Sequence, residues 1–183
     1  MISCVRTASA RRLTVYAAAC AVVWIAMTAT AGAQTDLCKL VDDERNPPEK
    51  ILRCGDGLVV RSAHDTSYQP IDQAVAAPPN TMRLDSGAVL VDFHSSAKRR
   101  TFQILTPNAI AAVRGTRWVV SAEPARSSVF VISGRVAVSR PQAQPTVLLG
   151  PGQGVDVAPD GLPLVVKRWA AARVRTLLAR FGE

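Results

Sequence analysis

The chain has 183 residues, 48% of them hydrophobic, and 22 Lys and Arg against 14 Asp and Glu give a formal net charge of +8. A chain of this length is sufficient for one domain with a core of its own. The positive charge is modest and evenly spread, which suits attraction to an anionic cell envelope and does not argue for nucleic acid, so we expect no nucleic-acid partner.

The first 33 residues have the pattern of an export signal. Three arginines precede an apolar run from Leu13 to Met27, and the small residues Ala31-Gly32-Ala33 follow it. The apolar run has about 15 residues, whereas a membrane-spanning helix needs about 20. We therefore expect residues 1–33 to be a signal peptide that is cleaved after Ala33, and the mature protein to be periplasmic.

Cys38 and Cys54 are the two cysteines that remain after this cleavage. An even pair separated by a loop indicates a disulfide in an oxidising compartment. Closing a loop of about 15 residues stabilises a fold by roughly 3 kcal/mol. Their spacing is unlike C-x-x-C, and no other cysteine or histidine lies near them in the sequence, so we predict a structural bond without redox or zinc chemistry.

Short alternating segments predict β-strands across the β domain that we assign to residues 57–166. Residues 101–105 alternate polar and apolar side chains, and the segment 134–140 places Val136 and Val138 on one face. Residues 88–91 are uniformly apolar, as in a strand buried on both faces. Turn signals recur at intervals of roughly 8–12 residues. The pattern predicts an all-β fold, either a twisted sandwich or a solenoid-like stack of short strands.

Glycines mark the start of several of these segments. Gly57, Gly87, Gly134 and Gly154 each precede a strand pattern, and glycine tolerates the positive φ that a chain reversal requires. We therefore expect these four residues in turns. The stretch from Ser62 to Asn80 contains three prolines and predicts a surface loop.

The ends of the mature chain differ from the β domain. Residues 34–56 are polar and form an N-terminal segment that carries the predicted disulfide. Residues 167–183 have helical periodicity, which predicts a basic amphipathic helix that ends at Gly182. Its apolar arc consists of Ala170, Val174, Leu177, Leu178 and Phe181.

The predicted helix carries arginines beside its apolar arc. Arg173 and Arg180 lie on the same side as Trp169 and are placed to stack on its indole. Three roles for the helix remain open: capping the β domain, docking into a partner protein, and lying on an anionic membrane surface.

The segment Arg114-Gly115-Thr116-Arg117-Trp118 is the most distinctive motif. In one interpretation a glycine turn leads into a strand whose Trp118 fills the core. In the other, Arg114 and Arg117 form a recognition surface and Trp118 positions it, since the guanidinium fork pairs well with carboxylates. Arg114, Arg117 and Trp118 are therefore the candidate interaction residues.

No catalytic, cofactor or metal site is predicted. His64 and His94 are the only histidines and lie 30 residues apart. The glycine-rich segment 150–154 lacks the Lys-Ser/Thr of a phosphate-binding loop, so it predicts a tight turn. The serines are not part of a nucleophile-elbow pattern. These observations predict that the protein is not an enzyme.

The order and spacing of motifs between Phe102 and Val157 resemble the FecR domain, the periplasmic module of bacterial cell-surface signalling regulators. The matching residues are Thr106, Pro107, Arg114, Gly115, Thr116, Gly134, Val136, Gly152 and Gly154. The resemblance implies an all-β periplasmic domain that acts through protein contacts, without catalysis or cofactor. It also implies that the matching residues are scaffold positions.

One departure from the family concerns the N-terminus. FecR-domain regulators commonly carry a cytoplasmic anti-sigma segment and a transmembrane helix before the domain, whereas here 12 residues precede the apolar run. This departure leads us to expect a stand-alone version of the domain and argues against a direct anti-sigma role.

Two functions follow as expectations. The first is a protein that senses or relays an envelope signal through contacts with a membrane-bound sensor or receptor. The alternative is an envelope structural protein that binds peptidoglycan or outer-membrane components, with peripheral contact to the membrane or cell wall.

Overall fold

The alternating segments of the sequence form strands whose apolar side chains point inward. Val136 and Val138 are fully buried, and so are Phe102 and Ile104. The computed structural model describes residues 38–43, 49–55, 57–71, 79–94 and 101–183. The predicted signal peptide therefore lies outside the described residues.

The described residues contain thirteen strands and one α-helix. They are β1 (Cys38–Asp43), β2 (Glu49–Cys54), β3 (Leu58–Ser62), β4 (Ser67–Pro70), β5 (Thr81–Phe93), β6 (Phe102–Leu105), β7 (Ile110–Val113), β8 (Thr116–Glu123), β9 (Arg126–Ser133), β10 (Val136–Arg140), β11 (Ala143–Leu149), β12 (Gln153–Val157), β13 (Lys167–Arg168) and α1 (Ala171–Leu178), which continues as a 3-10 helix over Ala179–Phe181.

The long strand β5 organises the sheet. Its first half pairs with β4 and β6, and its second half pairs with β3 and β8. The strand order is β11-β10-β7-β6-β5-β8-β9-β12-β13, with β1-β2-β3 attached to β5 and β4 paired with it. Gly87 lies where the pairing changes, with φ of +89°, and an added Cβ would lie 2.6 Å from Cα of Thr66. Gly87 is thus needed inside a strand, and the predicted turn at this position is wrong.

One core fills the space between the two halves of the curled sheet. Trp118 and Phe93 from one half and Phe102 from the other are fully buried in it. The rings of Phe93 and Phe102 lie 6.0 Å apart. Among the described strands only β5 and β6 pair in parallel, so the strands do not stack as successive parallel coils. The all-β prediction is confirmed, with a curled, sandwich-like sheet.

The N-terminal hairpin extends this sheet through a disulfide-linked strand pair. Cys38 and Cys54 face each other across β1 and β2, with their Cα atoms 4.0 Å apart, and are bonded to each other. β2 in turn pairs with β3. The predicted disulfide is confirmed.

The C-terminal helix is shorter than the predicted span of 167–183. Lys167 and Arg168 pair as β13 with β12, and Ala170 has an extended backbone with ψ of 143°. Because these residues give their backbone groups to the sheet, the helix begins only at Ala171. It ends as predicted, at Gly182 with φ of +68°.

The helix covers the outer face of β5 and β8. Phe181 is fully buried there against Ala88, Leu90 and Val119, and Leu177 packs at the edge of the same cluster. The helix therefore caps the β domain, which is one of its three predicted roles. None of the described helices has the length and apolar character that crossing a membrane requires.

One strand lies where the sequence predicts a loop. Ser67–Pro70 within the stretch 62–80 form β4, which pairs with the first half of β5. Its side chains are exposed or half-buried. Backbone pairing with β5 therefore defines this strand, and Tyr68 packs partly buried against the core.

Candidate interaction surface

The Arg114-Gly115-Thr116 motif forms the tight turn between β7 and β8. Gly115 has φ of +64°, in the left-handed region that residues with a Cβ disfavour. Thr116 is buried, and its Oγ1 donates a hydrogen bond to the carbonyl oxygen of Arg135, 3.1 Å away. Arg135 lies in the turn between β9 and β10. Two of the sequence motifs therefore meet in space.

Gly134 lies where these two turns approach each other most closely. A Cβ at this position would lie 2.8 Å from the carbonyl oxygen of Gly115 and 2.8 Å from Oγ1 of Thr116. Next to it, Val136 is fully buried and pairs with Val113 across β10 and β7. The motif residues therefore pack the β7–β8 turn against the β9–β10 turn.

The candidate interaction residues lie in different environments. Trp118 is fully buried in the core, so any role in recognition is restricted to positioning. Arg117 is half-buried and pairs with the carboxylate of Glu183, which Arg61 also contacts at 3.2 Å. Arg114 is exposed and forms no ion pair with any described residue.

A second exposed arginine lies beside Arg114. Arg135 is exposed in the neighbouring turn, and within the described ranges its side chain has no partner. The hydrogen bond from Thr116 to the Arg135 backbone fixes the two turns next to each other. The sequence contained Arg135 within its Gly-Arg-Val motif, but nothing in the linear spacing indicated that it lies near Arg114.

The remaining motif residues shape turns. Thr106 closes the turn between β6 and β7, because its Oγ1 accepts a hydrogen bond from the Ala109 amide at 2.8 Å. Pro107 lies exposed in that turn. Gly152 has φ of +74° in the turn before β12, and its amide donates to the carbonyl oxygen of Val131 at 2.8 Å.

Gly154 has a different reason to be glycine. It pairs with Phe130 inside the sheet and is absent from the residues with positive φ, so the predicted turn is wrong. A Cβ here would lie 2.4 Å from Cε2 of Trp169. The indole of Trp169 lies on Gly154 and stacks on Phe130 with ring centroids 5.1 Å apart.

Arg173 of the helix stacks on this indole and pairs with Asp156 of the sheet, which links the helix to β12. Its guanidinium carbon lies 3.5 Å from the Trp169 ring centroid, and its Nη1 donates to Oδ2 of Asp156 at 2.9 Å. Burial raises the pKa of Asp156, but hydrogen bonds from Arg173 and Ser128, with nearby positive charge, outweigh burial and lower the pKa below its ordinary value. The predicted stacking on Trp169 is confirmed for Arg173.

The described residues include no group of three or more potential metal ligands. His64 and His94 are both exposed, and each lies beside an aspartate close to it in the chain, Asp65 at 3.3 Å and Asp92 at 2.8 Å. Among the described residues, arginine side chains presented by tight turns therefore remain the candidates for a binding role.

Comparison with known proteins agrees with this architecture. Residues 49–137 match the family model described as FecR protein. Two crystal structures of a "putative anti-sigma factor" from Parabacteroides distasonis ATCC 8503 are similar in fold. The first has a TM-score of 0.58 at 20% identity and covers 71% of this chain and 60% of that chain. The second has a TM-score of 0.59 at 19% identity, with 78% and 65% covered.

The chain therefore spans less than two thirds of each of those crystallised chains. No curated protein sequence matches it significantly.

The curled sheet and its interlocked turns define an all-β domain. The match over residues 49–137 confirms the resemblance of the sequence motifs in that range to the FecR family. The match begins at the start of β2 and ends within β10, so Gly152 and Gly154 lie beyond it. FecR-domain proteins are in general regulatory and non-enzymatic, which supports a signalling role here.

Proposed function

We propose that this protein is a non-enzymatic, periplasmic FecR-domain protein that relays an envelope signal through contact with a membrane-bound sensor or receptor. The FecR domain at residues 49–137 is the observation that carries the proposal. The export signal predicted over residues 1–33 supports the compartment.

The adjacent turns of Arg114 and Arg135 are the contact surface in this proposal. Both side chains are exposed, and neither is neutralised by a described residue. Their backbones are held by the buried Thr116 and Gly134, so the two guanidinium groups are presented on a rigid support. Such a pair suits a partner that offers carboxylates.

Cross-linking in solubilised envelopes tests the proposal, with tagged residues 34–183 as bait. We expect the wild-type bait to recover a specific membrane sensor or receptor, and an R114E/R135E bait to recover several-fold less of it. R83E, a charge reversal at an exposed site on β5, serves as the matched control and is expected to behave as wild type.

Two results would contradict the proposal. Co-sedimentation with purified cell wall, without any membrane protein, would favour the structural alternative that binds peptidoglycan or outer-membrane components. Recovery of the protein from the cytoplasm with residues 1–33 still attached would exclude the periplasmic assignment.

A further inference from the structure

A groove of about 390 Å³ lies between the C-terminal helix and the turn that joins β8 to β9. Its volume is in the range of small-ligand sites. Three arginines (Arg126, Arg173, Arg180) and three hydroxyl side chains (Ser121, Ser128, Thr176) line it, together with the carboxylate of Glu123 and the apolar surfaces of Trp169 and Leu177.

Hydroxyl groups from the outer face of the sheet form the base of the groove. The helix covers the neighbouring part of the same face through apolar contacts. Ser121 and Ser128 are register partners on β8 and β9, and both are buried. The next outward-facing pair, Val119 and Phe130, is apolar. The Ser128 hydroxyl donates to Asp156 at 2.6 Å, whereas the Ser121 hydroxyl has no hydrogen-bond partner among the described residues.

The arginines are neutralised to different degrees. Arg173 is held by Asp156 and by the Trp169 ring. Arg126 pairs with Glu123 at 3.5 Å, with both side chains about half exposed, and such pairs are weak. Arg180 has no ion-pair partner within the part of the chain that the structure describes. Three arginines thus face two carboxylates, and Arg180 carries the surplus positive charge.

We infer that this groove binds a phosphate group. Guanidinium forks together with hydroxyl groups are well matched to phosphate oxygens. Ser128, Thr176 and Arg173 already donate to Asp156 or to the Ala172 carbonyl oxygen, so the donors of Arg180 and the Ser121 hydroxyl are the ones offered to a phosphate. The phosphate belongs either to a soluble phosphate ester or to a phosphorylated lipid headgroup at the envelope surface. The inference does not depend on the proposed signalling partner, because it concerns the opposite end of β8 from Arg114.

Calorimetry with inorganic phosphate at constant ionic strength tests the site. We expect wild type to bind phosphate and R180Q to bind about tenfold more weakly, as the loss of one charge-assisted hydrogen bond predicts. R83Q is the matched control and keeps the wild-type affinity. Because Arg180 makes no described ion pair, R180Q should retain the wild-type melting temperature. Equal affinities in wild type and R180Q, or equally tight binding of acetate, would overturn the inference.

Vesicles distinguish the two sources of phosphate. Co-sedimentation with phosphatidylcholine vesicles that contain phosphatidate, lost in R180Q, would assign a lipid headgroup. Binding of inorganic phosphate without vesicle binding would assign a soluble ester. If the protein bound neither inorganic phosphate nor the vesicles, the inference would be overturned. It would also be overturned if only an acidic peptide displaced the bound phosphate.

Discussion

Gly115 and Gly134 both adopt positive φ, yet their surroundings differ. An added Cβ at Gly115 meets nothing within 4 Å, whereas one at Gly134 meets the Gly115 carbonyl oxygen at 2.8 Å. G115A should therefore cost only the left-handed backbone, about 1–2 kcal/mol. G134A adds a steric clash of about 1–3 kcal/mol.

Urea unfolding of the two alanine variants measures this difference directly. If G134A proved as mild as G115A, the close contact between the two turns would not exist.

The carboxylate of Asp156 predicts a stability change in acid. Its pKa is lowered in the folded protein from the ordinary value of 3.8, so its stabilising effect is present above pH 3.8 and is lost as the pH falls through the folded pKa. We expect the free-energy gap between wild type and D156N to be constant near neutral pH and to shrink below pH 3.8. A gap independent of pH would show that the Arg173 pair does not stabilise the fold.

At the scale of elements, Phe181 is the fully buried side chain of the C-terminal helical segment. Phe181 is fully buried while Leu162, in the preceding loop, is 63% exposed. F181A should lower the free energy of unfolding by about 3–5 kcal/mol, and the control L162A should change it by less than about 0.5 kcal/mol. Chemical denaturation tests both. A mild F181A would mean that the helix does not depend on this anchor.

Alternation of side chains was enough to predict strands that carry an apolar face. β6 and β10 show it clearly, because each places alternate residues in the core. β4 and β13 escaped prediction, since Ser67–Pro70 and Lys167–Arg168 are held by backbone pairing with the adjoining strands β5 and β12. Local periodicity contains no information on such pairing.

The candidate surface could be predicted only in part for the same reason. One of the two interpretations of the Arg-Gly-Thr motif placed Gly115 in a turn, which is where it lies, because its conformation is local. The need for Gly154 depends on Trp169 of a later segment, and the neighbourhood of Arg114 and Arg135 depends on a hydrogen bond between two turns. The groove likewise joins Arg126 to Arg180, which lie far apart in the sequence.

At the scale of the whole molecule, β5 belongs to both halves of the sheet, so both halves lose their pairing with β5 together if that strand detaches. We therefore expect one cooperative unfolding transition. In a W169F variant of residues 34–183, Trp118 is the remaining tryptophan, and its fluorescence should follow the same denaturant curve as far-ultraviolet circular dichroism. Two separate midpoints would show that the halves unfold independently.

The disulfide has a mechanical consequence. Tension applied to the chain ahead of Cys38 passes through the sulfur bond to Cys54 and does not load the hairpin between them. The bond spans 16 positions in the sequence, and a chain of that length extends to about 50–60 Å. An oxidised molecule that is pulled from its N-terminal side therefore transmits the force directly to β3 without first lengthening. In a reduced molecule the hairpin extends by this length before the force reaches the core.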